Sequence, residues 1–484
     1  MATYQTDKNT YDIVIGLEIH AQISTRSKLF SRTNTKFGAE PNSQVSLIDA
    51  AMPGMLPTLN KEAIKQAVKS GIALNSSINK TSIFDRKNYF YADLPQGYQI
   101  SQFSDPLVSG GYIDIVNEEN IAKRINLTRI HIEQDAGKSI HDQSPDESFI
   151  DLNRSGIALM EIVSEPEMSS SHEVTEFVKK LRNILRYVGS CDADMEKGNL
   201  RCDANISLKL HGSEELGTRC EIKNLNSLKN IALAIEYEIK TQAEILDNGG
   251  EVRQQTKLFN PNSLTTKVMR DKEDANDYRY FPDPDLLPLI LNDDFIETAK
   301  SEIGELPEAK RNRYVNEYNI SEYDAEVIIS DKHNADFFEQ LLGKCDTKLA
   351  VSWFTAEFFG RLNKAGINIK ESPVTAKNLL QLIKLIEDST ISGKIAKDVL
   401  DKMFSSGKNA DEIVKSEGLV QLSDSTEIIK IIDNILSQNT DKVSEYKSGK
   451  DKLFGFFVGQ TMKATQGKAN PKIVNELLKQ QLSL

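Results

Sequence analysis

The sequence predicts an α+β protein with a strand-rich mixed domain over residues 1–293, an all-helical domain over 294–405 and a small all-helical tail over 406–484. Three observations carry that reading. Up to about residue 290, apolar and polar residues alternate with a period of two, between turns marked by glycine and proline. Beyond about 293 apolar residues recur every three or four positions, as in Val351, Phe354, Phe358 and Leu362. From Tyr446 onward seven lysines stand against Asp451 and Glu476, so the end of the chain is locally basic.

A chain of 484 residues is long enough for several domains, each with its own core. It contains no run of about 18 apolar residues, so no membrane span is expected. The first residues have no apolar signal segment. Cys191, Cys202, Cys220 and Cys345 form no CxxC pair, which argues against a disulfide framework or zinc knuckle and fits a reducing cytoplasm. The net charge of −12 speaks against a generally nucleic-acid-coating surface, but local charge decides that question and the tail is basic.

The first strand is DIVIGLEIHAQI (12–23). Ile13, Ile15, Leu17 and Ile19 share one face; Glu18, His20 and Gln22 share the other. KEAIKQAVKSGIAL (61–74) follows as a helix with Ile64, Val68 and Ile72 at spacing four. DRKNYFYADLPQGYQISQF (85–103) interleaves cations with aromatics, a pattern that suits a base or ribose and equally an aromatic corner of the core. RIHIEQDAGKS (129–139) sets Arg129, His131, Glu133 and Asp135 opposite Ile130 and Ile132. Its AGKS ending is no P-loop, because Ile132 occupies the place of the first glycine.

DLNRSGIALMEIVSEPEM (151–168) contributes Arg154, Glu161 and Glu165, and a helical stripe of Val174, Phe177, Val178, Leu181 and Leu185 reads as core. Two further alternating stretches carry Arg201, Asp203 and Asn205, then Arg219, Glu221 and Lys223. Four strands thus place charges of both signs on one face, as a shared charged site would; an exposed antiparallel sheet shows the same alternation. Arg270 and Arg279 stand among aromatics and prolines in 269–289, and ISGKIAK (391–397) with the piece at 405–408 reads as a linker.

Carboxylates and a histidine converging with Arg and Lys suit Mg²⁺ and phosphate. The hard cation prefers oxygen ligands, and phosphoryl transfer needs cations to spread developing charge. Arg154, Arg201, Arg219, Lys223 and Arg279 are the candidates for that work. Catalytic zinc would want three tight nitrogen or sulfur ligands, and the histidines here are scattered.

VIGLEIHAQ, DRKNYFYADLPQGYQISQ, HIEQDAGKS, DLNRSG, EIVSEP, DMEKGNLRCDANIS, GTRCEIKNLNS, DYRYFPDPDL and the ending FFVGQTMKATQGKANPKIVNELLKQQL resemble the GatB/GatE family, the B subunits of aspartyl/glutamyl-tRNA(Asn/Gln) amidotransferases. The resemblance runs from about residue 11 to the C-terminus. It implies a cradle similar to the glutamine synthetase/guanido kinase fold, a helical domain and a YqeY-like tail that binds tRNA. It implies a carbon–nitrogen ligase that phosphorylates, from ATP, the side-chain carboxylate of Glu or Asp misacylated onto tRNA(Gln) or tRNA(Asn), serving one or both. Ammonia then displaces the phosphate. It comes from a glutaminase A subunit through a tunnel, and a small C subunit completes the heterotrimer.

The resemblance places Glu18, His20 and Glu133 at the family's metal-binding motif positions. Asp203 and Glu221 as further ligands, with Arg201 and Lys223 as phosphate partners, rest mainly on strand alternation. Some positions depart from the family pattern. Gln96 stands where many members carry a tunnel-mouth lysine. Asn276 replaces a common histidine, and QQTKL (254–258) a common QETRL, so neither stretch is assigned a catalytic role. Ser31, Thr33, Ser46 and Asp49 occupy the places of a zinc-binding cysteine set, so bound zinc is not expected. Two rivals remain. A small-molecule ligase or kinase of the same fold would turn over without tRNA. A non-catalytic protein that only docks tRNA would keep amide formation after Glu18→Ala or Glu133→Ala.

Overall fold

The computed structural model describes residues 2–141, 143–144, 146–271, 278–419, 425–465 and 469–483. Asn276 and Lys468 lie outside them. The chain forms two compact units, Met1–Pro307 and Glu308–Leu484.

The first unit is built on an 11-stranded sheet. Its centre is the long strand β1 (Thr10–Gln22); the other strands that matter most are β2 (Ala122–Gln134), β3 (Ala158–Ser164), β4 (Leu200–Leu210) and β5 (Cys220–Leu225). The spatial order across them is β5-β4-β1-β3-β2, each pair antiparallel. Beyond β5 lie Gln255–Asn260, in parallel, and Thr265–Asp271.

The period of two in β1 does what it predicts. Ile13, Ile15, Leu17 and Ile19 are buried against helices α1 (Lys61–Ala73), α2 (Ser171–Val188) and α3 (Leu228–Asp247). Asn60 caps α1 through the backbone N–H of Glu62 and Ala63, and Ser170 caps α2. Gly189 ends α2 at φ 76°, a left-handed turn that a side chain would strain. The stripe of Val174, Phe177, Val178, Leu181 and Leu185 is wholly buried in this core. With one face covered by helices, the polar face of the sheet is left to carry the site.

Helix α4 (Asp293–Ser301) packs on α1, and Glu302 just beyond it reaches Lys65 at 3.0 Å. Its apolar side therefore belongs to the first unit, whose compact body continues past the expected edge at 293 to Pro307.

The positions of Ser31, Thr33, Ser46 and Asp49 gather into one polar knot. The Ser31 hydroxyl lies 3.0 Å from Asp49 Oδ1 and 3.2 Å from Thr33 Oγ1, and the Ser46 N–H donates to Asp49 at 2.8 Å. The fully buried Lys28 ammonium stands 3.3 Å from the same carboxylate. Burial pushes Lys28 below the usual lysine range, and Asp49 opposes that. Lys28→Met should leave Asp49 buried without its cation and destabilise this unit by about 3–5 kcal/mol, a fall of roughly 5–8 °C for a unit this size, read by calorimetry. A melting point within a degree of wild type would sink this account.

The second unit is helical throughout its described residues. Val351, Phe354, Phe358 and Leu362 are buried as their spacing predicts, across a π-helical turn at Trp353–Phe358. The linker expected at ISGKIAK is corrected: Ser392 caps a helix spanning Gly393–Ser406, whose Ile395, Ala396, Val399, Leu400 and Met403 are buried. The single glycine and serine signalled a helix start there. The following helix, Ala410–Ser416, packs on this one and on Ala376–Glu387. A separate core begins at Ile428 and joins Ser425–Ser437, Leu453–Ala464 and Pro471–Ser483. There the Lys442 ammonium sits 3.6 Å over the Phe456 ring.

Candidate active site

Register decides which charged side chains meet. On the face opposite the helices, β2, β3, β1 and β4 align His131, Glu161, His20 and Arg201 as one cross-strand row. The next row runs Arg129, Val163, Glu18 and Asp203. Glu133 lies two residues beyond His131, so it projects from the same face.

These side chains converge on a buried constellation. Glu161 Oε2 lies 3.3 Å from His20 Nε2 and 3.1 Å from His131 Nε2. Glu133 stands 3.6 Å from each imidazole and accepts a 3.1 Å hydrogen bond from the Ser101 hydroxyl. Burial opposes ionisation of all four groups, yet mutual attraction prevails. His131 is pushed up to about 9, because Glu161 and Glu133 outweigh the desolvation that would lower it. His20 is raised against burial by the same two carboxylates. Glu161 is held well below the usual carboxylate range, despite burial, by His131 and His20. His131 Nδ1 is buried with no hydrogen-bond partner.

One donor atom each from His20, Glu133 and Glu161 lie within 4.8 Å of one another, the one such group of possible metal ligands among the described residues. Two carboxylates and one imidazole fit a hard divalent cation such as Mg²⁺ or Mn²⁺ better than zinc.

The cations sit beside this group in two arrangements. Arg201 reaches Asp135 at 2.9 Å and Arg154 reaches it at 3.6 Å, while Gln22 donates to it at 3.1 Å. Two guanidiniums share one buried carboxylate, and the buried Arg201 Nε has no partner. That leaves excess positive charge and an open donor, as an anion site requires. Lys223 instead lies between Asp203, in close contact, and Glu221 at 2.9 Å.

The structure therefore divides the residues singled out from sequence. His20 and Glu133 meet, whereas Glu18, Asp203 and Glu221 do not enter their group. Glu18 accepts a 3.0 Å hydrogen bond from Asn205, and Asp203 and Glu221 are ion-paired through Lys223. Arg154 and Arg201 stand together, and Arg219 is exposed at the edge of β5. Arg279 is exposed at a positive φ of 45° next to Phe281–Pro282, which pairs with Asp85–Asn88.

The aromatic segment forms a walled corner. Phe103 stacks on Tyr280 at 4.3 Å, and Arg86 is taken up by Asp283 at 2.8 Å and by the Tyr98 ring at 4.1 Å. Gln96 Nε2 is buried without a partner.

The sequence shows His131 and Glu161 on charged stretches without marking either as part of the metal group, and Lys87 only as one of the cations among the aromatics. A glutamate isolated between Met160 and Ile162 in an otherwise apolar strand is the signal that points to Glu161, since a buried carboxylate needs partners.

A GatB/GatE catalytic domain model matches residues 13–297, spanning every strand of the site, and a GatB domain model matches 336–482. The B subunit of the aspartyl/glutamyl-tRNA(Asn/Gln) amidotransferase of Rickettsia rickettsii is 58% identical over 483 residues, 100% of each chain. Its counterpart in Rickettsia bellii is 58% identical over 482 residues, again 100% of each, and that of Rickettsia typhi 58% over 472 residues, 98% of each. The chain belongs to the GatB/GatE family, the B subunits of aspartyl/glutamyl-tRNA(Asn/Gln) amidotransferases.

Proposed function

We propose that this chain is the component of a glutamine-dependent tRNA amidotransferase that activates and amidates the side-chain carboxylate of Glu-tRNA(Gln), Asp-tRNA(Asn) or both, in translation. The observation that carries the proposal is the buried pairing of His20 and His131 with Glu133 and Glu161, flanked by the Arg201–Arg154 pair. Such a face suits a reaction that brings two anions together.

In the first step a substrate carboxylate oxygen bonds to the γ-phosphorus of ATP, the bond from that phosphorus to the β,γ-bridging oxygen breaks, and ADP leaves. In the second, ammonia attacks the acyl carbon, the carbon–oxygen bond to phosphate breaks, and the nitrogen gives up a proton to leave the amide. His20, Glu133 and Glu161 would hold Mg²⁺, which supplies charge neutralisation for the phosphoryl group. Arg201 and Arg154 orient phosphate oxygens. Arg279 is assigned to the nucleotide, and Lys223 with Glu18, Asp203 and Glu221 forms a second charged group beside the first. The strand-rich unit acts as a glutamine synthetase/guanido kinase-like cradle for the acceptor end. The helical region and basic YqeY-like tail hold the tRNA body by shape and backbone contacts. A glutaminase A subunit supplies ammonia past Gln96, and a small C subunit completes the heterotrimer, in the cytoplasm. Among the described residues no helix is long and apolar enough to cross a membrane.

The test uses the chain assembled with its glutaminase and small partners, Glu-tRNA(Gln), Mg²⁺ and ATP. Wild type should cleave ATP only with charged tRNA present. Glu133→Gln should lose both ATP cleavage and amide formation by about a hundredfold or more. Amide formation at the wild-type rate in Glu133→Gln would hand the lead to the reading in which the chain only docks tRNA. ATP-dependent amidation of a free amino acid would favour the small-molecule ligase.

A further inference from the structure

The strand Asp85–Asn88 runs antiparallel to Tyr98–Ser101, with Lys87 opposite Gln99 and Asp85 opposite Ser101. Residues two apart share a face, so Lys87, Gln99 and Ser101 look the same way. That face lies on the end of β2: the Ser101 hydroxyl donates to Glu133 at 3.1 Å, and Gln99 Nε2 donates to the Gln134 carbonyl at 2.8 Å. Tyrosines wall the other side. The Lys87 ammonium is 5.0 Å from the Tyr278 ring and 5.8 Å from the Tyr89 ring, and Tyr280 packs edge-on against Tyr278. Tyr89 is itself fixed by donating to Gln99 Oε1 at 2.9 Å.

Lys87 is half-buried, and among the described residues no carboxylate lies within ion-pair distance of it. Glu133 and Glu161 act on it only through space. The other cations nearby behave differently: Arg201, Arg154, Lys223 and Arg86 each reach a carboxylate. A half-buried ammonium held by aromatic faces, on the strand face that also carries Ser101 and in ion-pair contact with none of the constellation's oxygens, keeps its charge for an oxyanion brought by the substrate.

We propose that Lys87 anchors the oxyanion of the substrate's side chain, first as the carboxylate and then as the acyl phosphate. The inference rests on the kinase reading above. It adds the residue that would hold the acceptor, as distinct from Arg201 and Arg154 on the nucleotide's phosphates. Carboxylate and phosphoryl oxygens share the chemistry that an ammonium recognises, so the kinetic arms must separate them.

The experiment uses the assembled three-subunit enzyme with Lys87→Met, Lys87→Arg and Glu133→Gln. For Lys87→Met, KM for Glu-tRNA(Gln) should rise roughly ten- to hundredfold, the scale of one charge-assisted hydrogen bond, with kcat falling as well. KM for ATP and Mn²⁺ binding by the enzyme should stay within about threefold of wild type, changes small beside a lost charged contact. Lys87→Arg, which keeps the charge, should recover most of the loss in KM. A merely structural lysine would shift stability, Mn²⁺ affinity and both KM values together, and that pattern overturns the proposal. So does a rise confined to KM for ATP, which would move Lys87 to the nucleotide. Wild-type kinetics in Lys87→Met beside an inactive Glu133→Gln refutes the anchor alone, whereas two fully active variants refute the kinase reading itself. If Lys87→Met fails to assemble, Lys87→Gln takes the same measurements.

Discussion

Glu161→Gln is expected to cut amide formation by about 10²–10³-fold in the assembled enzyme and to lower its melting temperature, because two buried histidines lose their shared counter-charge. Glu161 lies between the two imidazoles, at 3.3 Å from His20 and 3.1 Å from His131, and is one of the three candidate metal donors. The amide keeps the shape and can still accept a hydrogen bond. It removes the negative charge that keeps both histidines raised. The site then loses charge toward the cation and gains repulsion between its own imidazoles. Mn²⁺ titration of the variant checks the first effect: affinity should fall at least tenfold, as loss of a charged donor requires. Proton NMR of the ring protons checks the second: both histidines should titrate at lower pH than in wild type. Wild-type amide formation in Glu161→Gln would show that the constellation only braces the sheet.

Much of this site was legible in the sequence because strands report their faces. Glu18, His20, Glu133, Arg201 and Asp203 alternate with apolar neighbours, and all lie on the face opposite the helices. Sequence alternation carries no register, however. β3 enters the sheet between β1 and β2 although 136 positions separate Gln22 from Ala158, and only that insertion places Glu161 beside His20. Its neighbours from Ala158 to Val163 are all apolar, so no alternation marks the face it takes. The same gap explains the acidic residues that stay apart. Asp203 and Glu221 obey the alternation as well as Glu133 does, but the irregular pairing of β4 with β5 brings Lys223 between them. Lys87 was hidden for another reason, since its four-residue strand, DRKN, is too short to show an alternation, and the rings that flank its ammonium come from Tyr89 just beyond the strand and Tyr278 far along the chain. In the helical unit, Gly393 drew a linker reading because it sits inside a first turn where Ser392 supplies the cap.

Glu238→Ala should destabilise the strand-rich unit by about 3–5 kcal/mol, whereas Glu238→Leu combined with Lys257→Met should return most of that loss. Glu238 is fully buried on α3, on the helix-covered side of the sheet, and accepts from Lys257 at 2.8 and 3.1 Å and from Gln242 at 3.0 Å. Removing the carboxylate alone leaves the Lys257 ammonium in a cavity with no counter-charge, on a strand that pairs in parallel with β5. Replacing both partners by apolar groups of similar volume removes two desolvation costs along with one attraction, which is why the double variant should lie close to wild type. Chemical denaturation of wild type, Glu238→Leu, Lys257→Met and the double variant gives the coupling energy directly. Additive losses would mean that the pair is solvated and contributes as a surface bridge does, at most about 1 kcal/mol. Strong coupling would instead show that α3 is locked to the sheet by charge, and that the Lys223–Glu221 end of the site is held in register from behind.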